Sequence, residues 1–95
     1  MPETRFRIEW PNGEQADCYS PSSVVRQYFS PTQDYALEEF VSKAREALQL
    51  ASDRVQAKYG RPCGLALGQL QEIEAIAQQF TSQDQAQVKF LRFLD

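Results

Sequence analysis

The stretch from residue 36 to residue 59 constrains this chain more than any other. Apolar residues fall at Leu37, Val41, Ala44, Leu48, Ala51 and Val55, in alternating steps of four and three, and Phe40 and Ala47 widen the stripe. This is the spacing of one face of an α-helix, and it predicts an amphipathic helix of about six turns. Gly60 stands where a left-handed C-cap is wanted and Pro62 follows two residues later, so the helix has a defined stop. Such a helix must bury its apolar face against other elements. With 95 residues, those elements belong to one domain, residues 1–95, with one modest core.

The partner for that face is legible upstream. Residues 5–10, Arg-Phe-Arg-Ile-Glu-Trp, alternate strictly and place Phe6, Ile8 and Trp10 on one side of a half-buried strand. Pro11-Asn12-Gly13 then reads as a three-residue hairpin loop, with Gly13 in the left-handed position of a bulge. That loop pairs Trp10 with Glu14, Ile8 with Ala16 and Phe6 with Cys18. A two-residue Asn-Gly loop would bring Asp17 opposite Ile8, so the first register is preferred because it keeps one face apolar. The second strand runs to Tyr19. Ser20-Pro21 resembles a helix N-cap with proline at the first helical position, ahead of a short helix from Ser22 to Phe29 carrying Val24, Val25, Tyr28 and Phe29. Ser30 and Gln33 fit a capping box, with an extended Asp34-Tyr35 as the alternative.

A further helix is predicted from about Leu65 to Phe80, with Leu67, Leu70, Ile73, Ala77 and Phe80 as its stripe and Gly68 as a weak point. Val88 and Phe90 flank Lys89 in an aromatic-rich tail, which favours a last strand over a helical extension. The order is β-β-α-α-α-β. The expected fold class is α+β: an N-terminal hairpin, three helices (one short, two long), and a C-terminal strand joining a three-stranded sheet covered on one face by helices. A sheet of this kind has edges to protect, and Lys89 would suit an edge charge.

Composition removes several kinds of chemistry. The chain has no histidine, which excludes Ser-His-Asp and Cys-His catalysis and histidine-ligated zinc. Its two cysteines cannot close a zinc site, so no metal is expected, and nothing points to a cofactor. The net charge of −3, with lysine only at Lys43, Lys58 and Lys89, argues against nucleic acid as a partner. No apolar run approaches the roughly 20 residues needed to span a bilayer and no signal-peptide pattern is present, so no membrane is expected and the expected compartment is the cytoplasm. In that reducing setting Cys18 and Cys63 are expected as free thiols rather than as a disulfide.

Certain runs are distinctive: Arg5-Phe6, Trp10-Pro11-Asn12-Gly13, Asp17-Cys18-Tyr19-Ser20-Pro21-Ser22, Ala51-Ser52 with Arg54-Val55, Tyr59-Gly60, Cys63, Gln69-Leu70 and Ile73-Glu74. Together they resemble the small nitrogen starvation response family, over residues 3 to about 80, with the Asp-Cys-Tyr-Ser-Pro-Ser run as the most specific part. The resemblance implies genes in bacterial clusters with a nitrilase, a radical-SAM protein, an acetyltransferase-like protein and a flavoprotein. It implies work beside those enzymes under nitrogen limitation, and it implies no particular reaction.

The candidate functional residues each have a plain alternative. Cys18 and Cys63 both precede predicted helices, whose N-termini lower a thiol's pKa, but buried cysteine is also ordinary core. Ser20 and Ser22 could meet an anion at a helix N-terminus, or simply cap it. Tyr59 could turn its hydroxyl to a pocket near Cys63, or pack under the helix turn. Glu74 could meet Arg54 or Tyr59 across the helix pair. Arg5, Arg7 and Glu9, with Asp17 and Tyr19, share the outer face of the hairpin, which is either a partner surface or a solvated one.

These readings favour an accessory protein, not an enzyme, that binds a protein partner encoded in the same cluster and exists as a monomer or weak homodimer. A small thiol-dependent enzyme or carrier using Cys18 is the alternative, as is a regulatory binder of a small nitrogen metabolite.

Overall fold

A computed structural model describes residues 3–61 and 64–94 of the chain. The hairpin forms as its alternation dictates, from β1 (Thr4–Glu9) and β2 (Gln15–Ser20). Phe6 lies opposite Cys18 and Ile8 opposite Ala16. The loop closes with the Trp10 N–H on the Glu14 carbonyl and the Gly13 N–H on the Trp10 carbonyl, each at 2.8 Å. Gly13 has φ +91°, the conformation that reserves the position for glycine.

The sheet has four strands, one more than expected. β3 (Gln33–Ala36) and β4 (Gln87–Phe93) complete it in the order β2-β1-β4-β3, antiparallel throughout. β3 takes the extended alternative at Asp34-Tyr35 in place of the capping box at Ser30 and Gln33. Thr32 takes φ +61°, and the Tyr35 ring turns inward, where its hydroxyl accepts from the Ser30 N–H at 2.8 Å. Tyr35 alone of the four residues is buried, so no alternation announces the strand. β4 is an interior strand, so Lys89 is not an edge charge; it lies beside Glu9 on one side and Asp34 on the other.

The short helix is a 3-10 helix, Ser23–Gln27, and its cap is Ser22, not Ser20. The long helix α1 (Leu37–Tyr59) ends at Gly60 with φ +86°, as its sequence requires. The next helix, α2 (Gly64–Ala77), passes into a 3-10 turn at Gln78–Phe80. Its buried stripe is Ala66, Leu70, Ile73, Ala77 and Phe80, so Ala66 takes the place expected of Leu67, which is half-buried.

Helices and inner sheet face meet in an aromatic core. Phe29 sits at its centre, with ring centroids 5.0 Å from Phe90, 5.3 Å from Phe40, 5.3 Å from Tyr35 and 6.2 Å from Phe6. Trp10 stacks on Phe80 and meets Phe40 edge-on. The packing covers one face of the sheet and leaves the other to solvent, the usual arrangement for antiparallel strands. Among the described residues no helix is long and apolar enough to cross a membrane.

Candidate functional site

The uncovered sheet face is polar because each strand turns its alternate residues outward. Arg5 and Arg7 of β1 stand beside Tyr19 and Asp17 of β2. Arg92 of β4 joins them opposite Arg7, and this position depends on a bulge. Counting by two from Phe90 would turn Arg92 inward. The register slips between Arg7 and Ile8, so that Phe93 turns in beside Phe6 and Arg92 turns out.

Asp17 is the hub of this face. The Arg7 guanidinium donates to both its oxygens, at 2.8 Å and 3.3 Å, the forked geometry that arginine offers a carboxylate. That hydrogen bonding holds the Asp17 carboxyl below the usual carboxylate range, and the charges of Arg7, Arg92 and Arg5 act in the same direction. Three guanidiniums thus surround one carboxylate on a chain whose net charge is −3. The pair itself is exposed and screened, so it organises the face more than it stabilises the fold.

A groove opens at the sheet edge, between β2 and α2, with a volume of about 650 Å³. Arg5, Asp17, Cys18 and Tyr19 line its strand side. Gly64, Leu65, Gly68, Gln69 and Glu72 line its helix side, on a stripe of α2 separate from the buried one. The Tyr19 N–H donates to Gln69 Oε1 at 3.0 Å, which ties the strand edge to the helix. The sequence marks none of these α2 residues as a site; its one signal is Gly68, a glycine that the helix itself disfavours.

Cys18 reaches this groove but is only 3 % exposed. Burial pushes its thiol up to about 12, and the charges of Glu72 and Asp17 push it the same way. The expected lowering by a helix N-terminus is absent, since β2 leads into a short 3-10 helix that begins three residues beyond Ser20. At neutral pH Cys18 is a protonated thiol packed with Phe6 and its neighbours in the core.

The serines act on the backbone. Ser20 donates to the Ser22 carbonyl at 2.8 Å, and Ser22 Oγ accepts from the Val24 N–H at 3.2 Å. Both are buried, so the Ser-Pro-Ser run fixes the turn out of β2 and presents no hydroxyl to a ligand. Tyr59 is 63 % exposed and lines no part of the groove, with the Lys58 ammonium 5.5 Å from its ring. Cys63 lies outside the described residues. Glu74 pairs with Arg45 at 2.8 Å, in place of the Arg54 or Tyr59 contact expected. The structure therefore gathers Arg5, Asp17, Cys18 and Tyr19, and leaves Ser20, Ser22 and Tyr59 out.

No curated protein matches the sequence, and no solved structure does. The family described as nitrogen starvation-induced protein NitG matches it over residues 5–93, which takes in both helices and every strand apart from the first residue of β1. The chain belongs to this family.

Proposed function

We propose that this member of the nitrogen starvation-induced NitG family is a cytoplasmic accessory protein that docks on a partner protein through the open face of its sheet. The observation that carries the reading is the arginine cluster: Arg5, Arg7 and Arg92 around Asp17, on the one sheet face that no helix covers. Arg7 is committed to Asp17, which leaves Arg5 and Arg92 to meet carboxylates on a partner. Arginine is well suited to this, since its fork pairs with carboxylates at low orientational cost. An acidic patch on one of the enzymes of the gene cluster is the surface we assign to it. Attraction of this kind steers association and weakens with salt.

The thiol-dependent alternative loses its support with the burial and raised pKa of Cys18.

Tagged chain recovered from nitrogen-starved cells tests the proposal. A partner retained in stoichiometric amount, lost on Arg5→Glu/Arg92→Glu and kept on Arg54→Glu, is the expected result. A protein that runs alone, or a partner held equally by the sheet-face variant, overturns it.

A further inference from the structure

The groove between β2 and α2 borders the sheet face at Arg5 and Asp17, but its helix side takes no part in docking through that face. β2 is an edge strand. Trp10 and Glu14 are a hydrogen-bonded pair, and alternation along an antiparallel ladder then turns the main-chain groups of Asp17 and Tyr19 away from β1. One of these is already met from outside. The Tyr19 N–H donates to Gln69 Oε1 at 3.0 Å, so a side-chain amide stands where the carbonyl of a fifth strand would stand. The next outward-facing residue, Asp17, also lines the groove.

The helix wall is low at this level. A Cβ built on Gly64 or on Gly68 meets nothing within 4 Å, so neither glycine is required by packing inside the chain. Helices disfavour glycine, yet Gly68 lies within α2 and keeps that wall bare. Leu65 stands at the rim, 69 % exposed. The charge is one-sided: the carboxylates of Glu3 and Glu72 face the groove, Asp17 is occupied by Arg7, and Arg5 is the only cation among its described lining.

We propose that this groove binds an extended, basic segment of a partner polypeptide. The segment pairs its main chain with β2 at Asp17, beyond the rung that Gln69 fills, and lies along the glycine face of α2. A lysine or arginine of the segment meets Glu72, and an apolar neighbour covers Leu65. Strand addition of this kind takes affinity from the main chain and selectivity from alternate side chains. The groove's volume of about 650 Å³ suits a few residues of such a segment. The decisive residues of this site are on α2, apart from the arginine face.

A fluorescein-labelled peptide of alternating valine and lysine, titrated with the full chain and read by fluorescence anisotropy, provides the test. Saturable binding is expected, weaker by about tenfold or more for Gly68→Leu, where the new side chain fills the groove. Glu72→Lys is expected to shift preference to the matching valine–glutamate peptide, and Arg92→Glu to change nothing. Circular dichroism establishes that each variant is folded, and Glu72→Lys keeps the test alive should Gly68→Leu fail to fold. No binding, binding indifferent to peptide charge, or binding undiminished in both α2 variants overturns the proposal and leaves the sheet-face reading standing.

Discussion

Two glycines provide a matched experiment on the backbone. Gly68 is the fifth residue of α2, with helical dihedrals, and Gly60 closes α1 at φ +86°. A Cβ at either meets nothing within 4 Å, so alanine changes no packing at either site. What differs is the backbone. At Gly68, alanine removes the helix penalty of glycine, about 0.8–1.0 kcal/mol in a helix interior. In a domain of this size that corresponds to a rise in Tm of about 4–8 °C per kcal/mol. At Gly60, alanine must adopt the left-handed region, which costs an L-residue roughly 1–2 kcal/mol. Part of this is offset because alanine also restricts the unfolded chain, which leaves a net loss of about 1 kcal/mol. Urea denaturation of the two variants and the wild type, with a common m-value, measures both. Opposite signs are required. A Gly68→Ala protein that is less stable would mean that the α2 wall is closed or that the helix does not continue through residue 68. A Gly60→Ala protein that is more stable would remove the left-handed cap. If the groove proposal is right, Gly68→Leu is folded and stable but binds the basic peptide poorly, the trade between stability and function seen at many sites.

The core supplies three further tests. Cys18 should resist alkylation in the native chain at neutral pH and react on unfolding; fast native labelling would contradict its burial. Its thiol titrates near 12 when folded against an ordinary value of 9.0, so its proton is held more tightly in the native state. Its contribution to stability is therefore complete below about pH 9 and is lost as pH rises towards 12, and Cys18→Ala should show a flatter fall in Tm over that range. Phe29→Ala should cost about 3–5 kcal/mol in urea, a large part of the stability of a small domain, because the ring touches four others. A loss under about 1 kcal/mol would mean that the cluster repacks around the gap.

Residue order was enough for the parts of this protein whose physics is local. The hairpin register came from the alternation of Phe6, Ile8 and Trp10 and from the loop chemistry of Asn12 and Gly13. The length and stop of α1 came from a stripe of period 3.6 and from Gly60. The outward setting of Arg5, Arg7 and Asp17 came from the same alternation as the core.

Other features depend on residues far apart in the chain, and folding alone settles them. β3 exists because β4 offers it a ladder and the core offers Tyr35 a place, and neither is visible in four residues. Arg92 joins Arg5 and Arg7 because a bulge against β1 reverses the alternation of β4, a long-range event that no local pattern records. Cys18 is a buried, protonated thiol because β2 packs it inward near Glu72 of α2, where both burial and charge oppose the thiolate. The groove belongs to neither β2 nor α2 alone. It arises where a strand edge meets the glycine face of a helix fifty residues away along the Tyr19–Gln69 contact, and only the folded chain brings the two together.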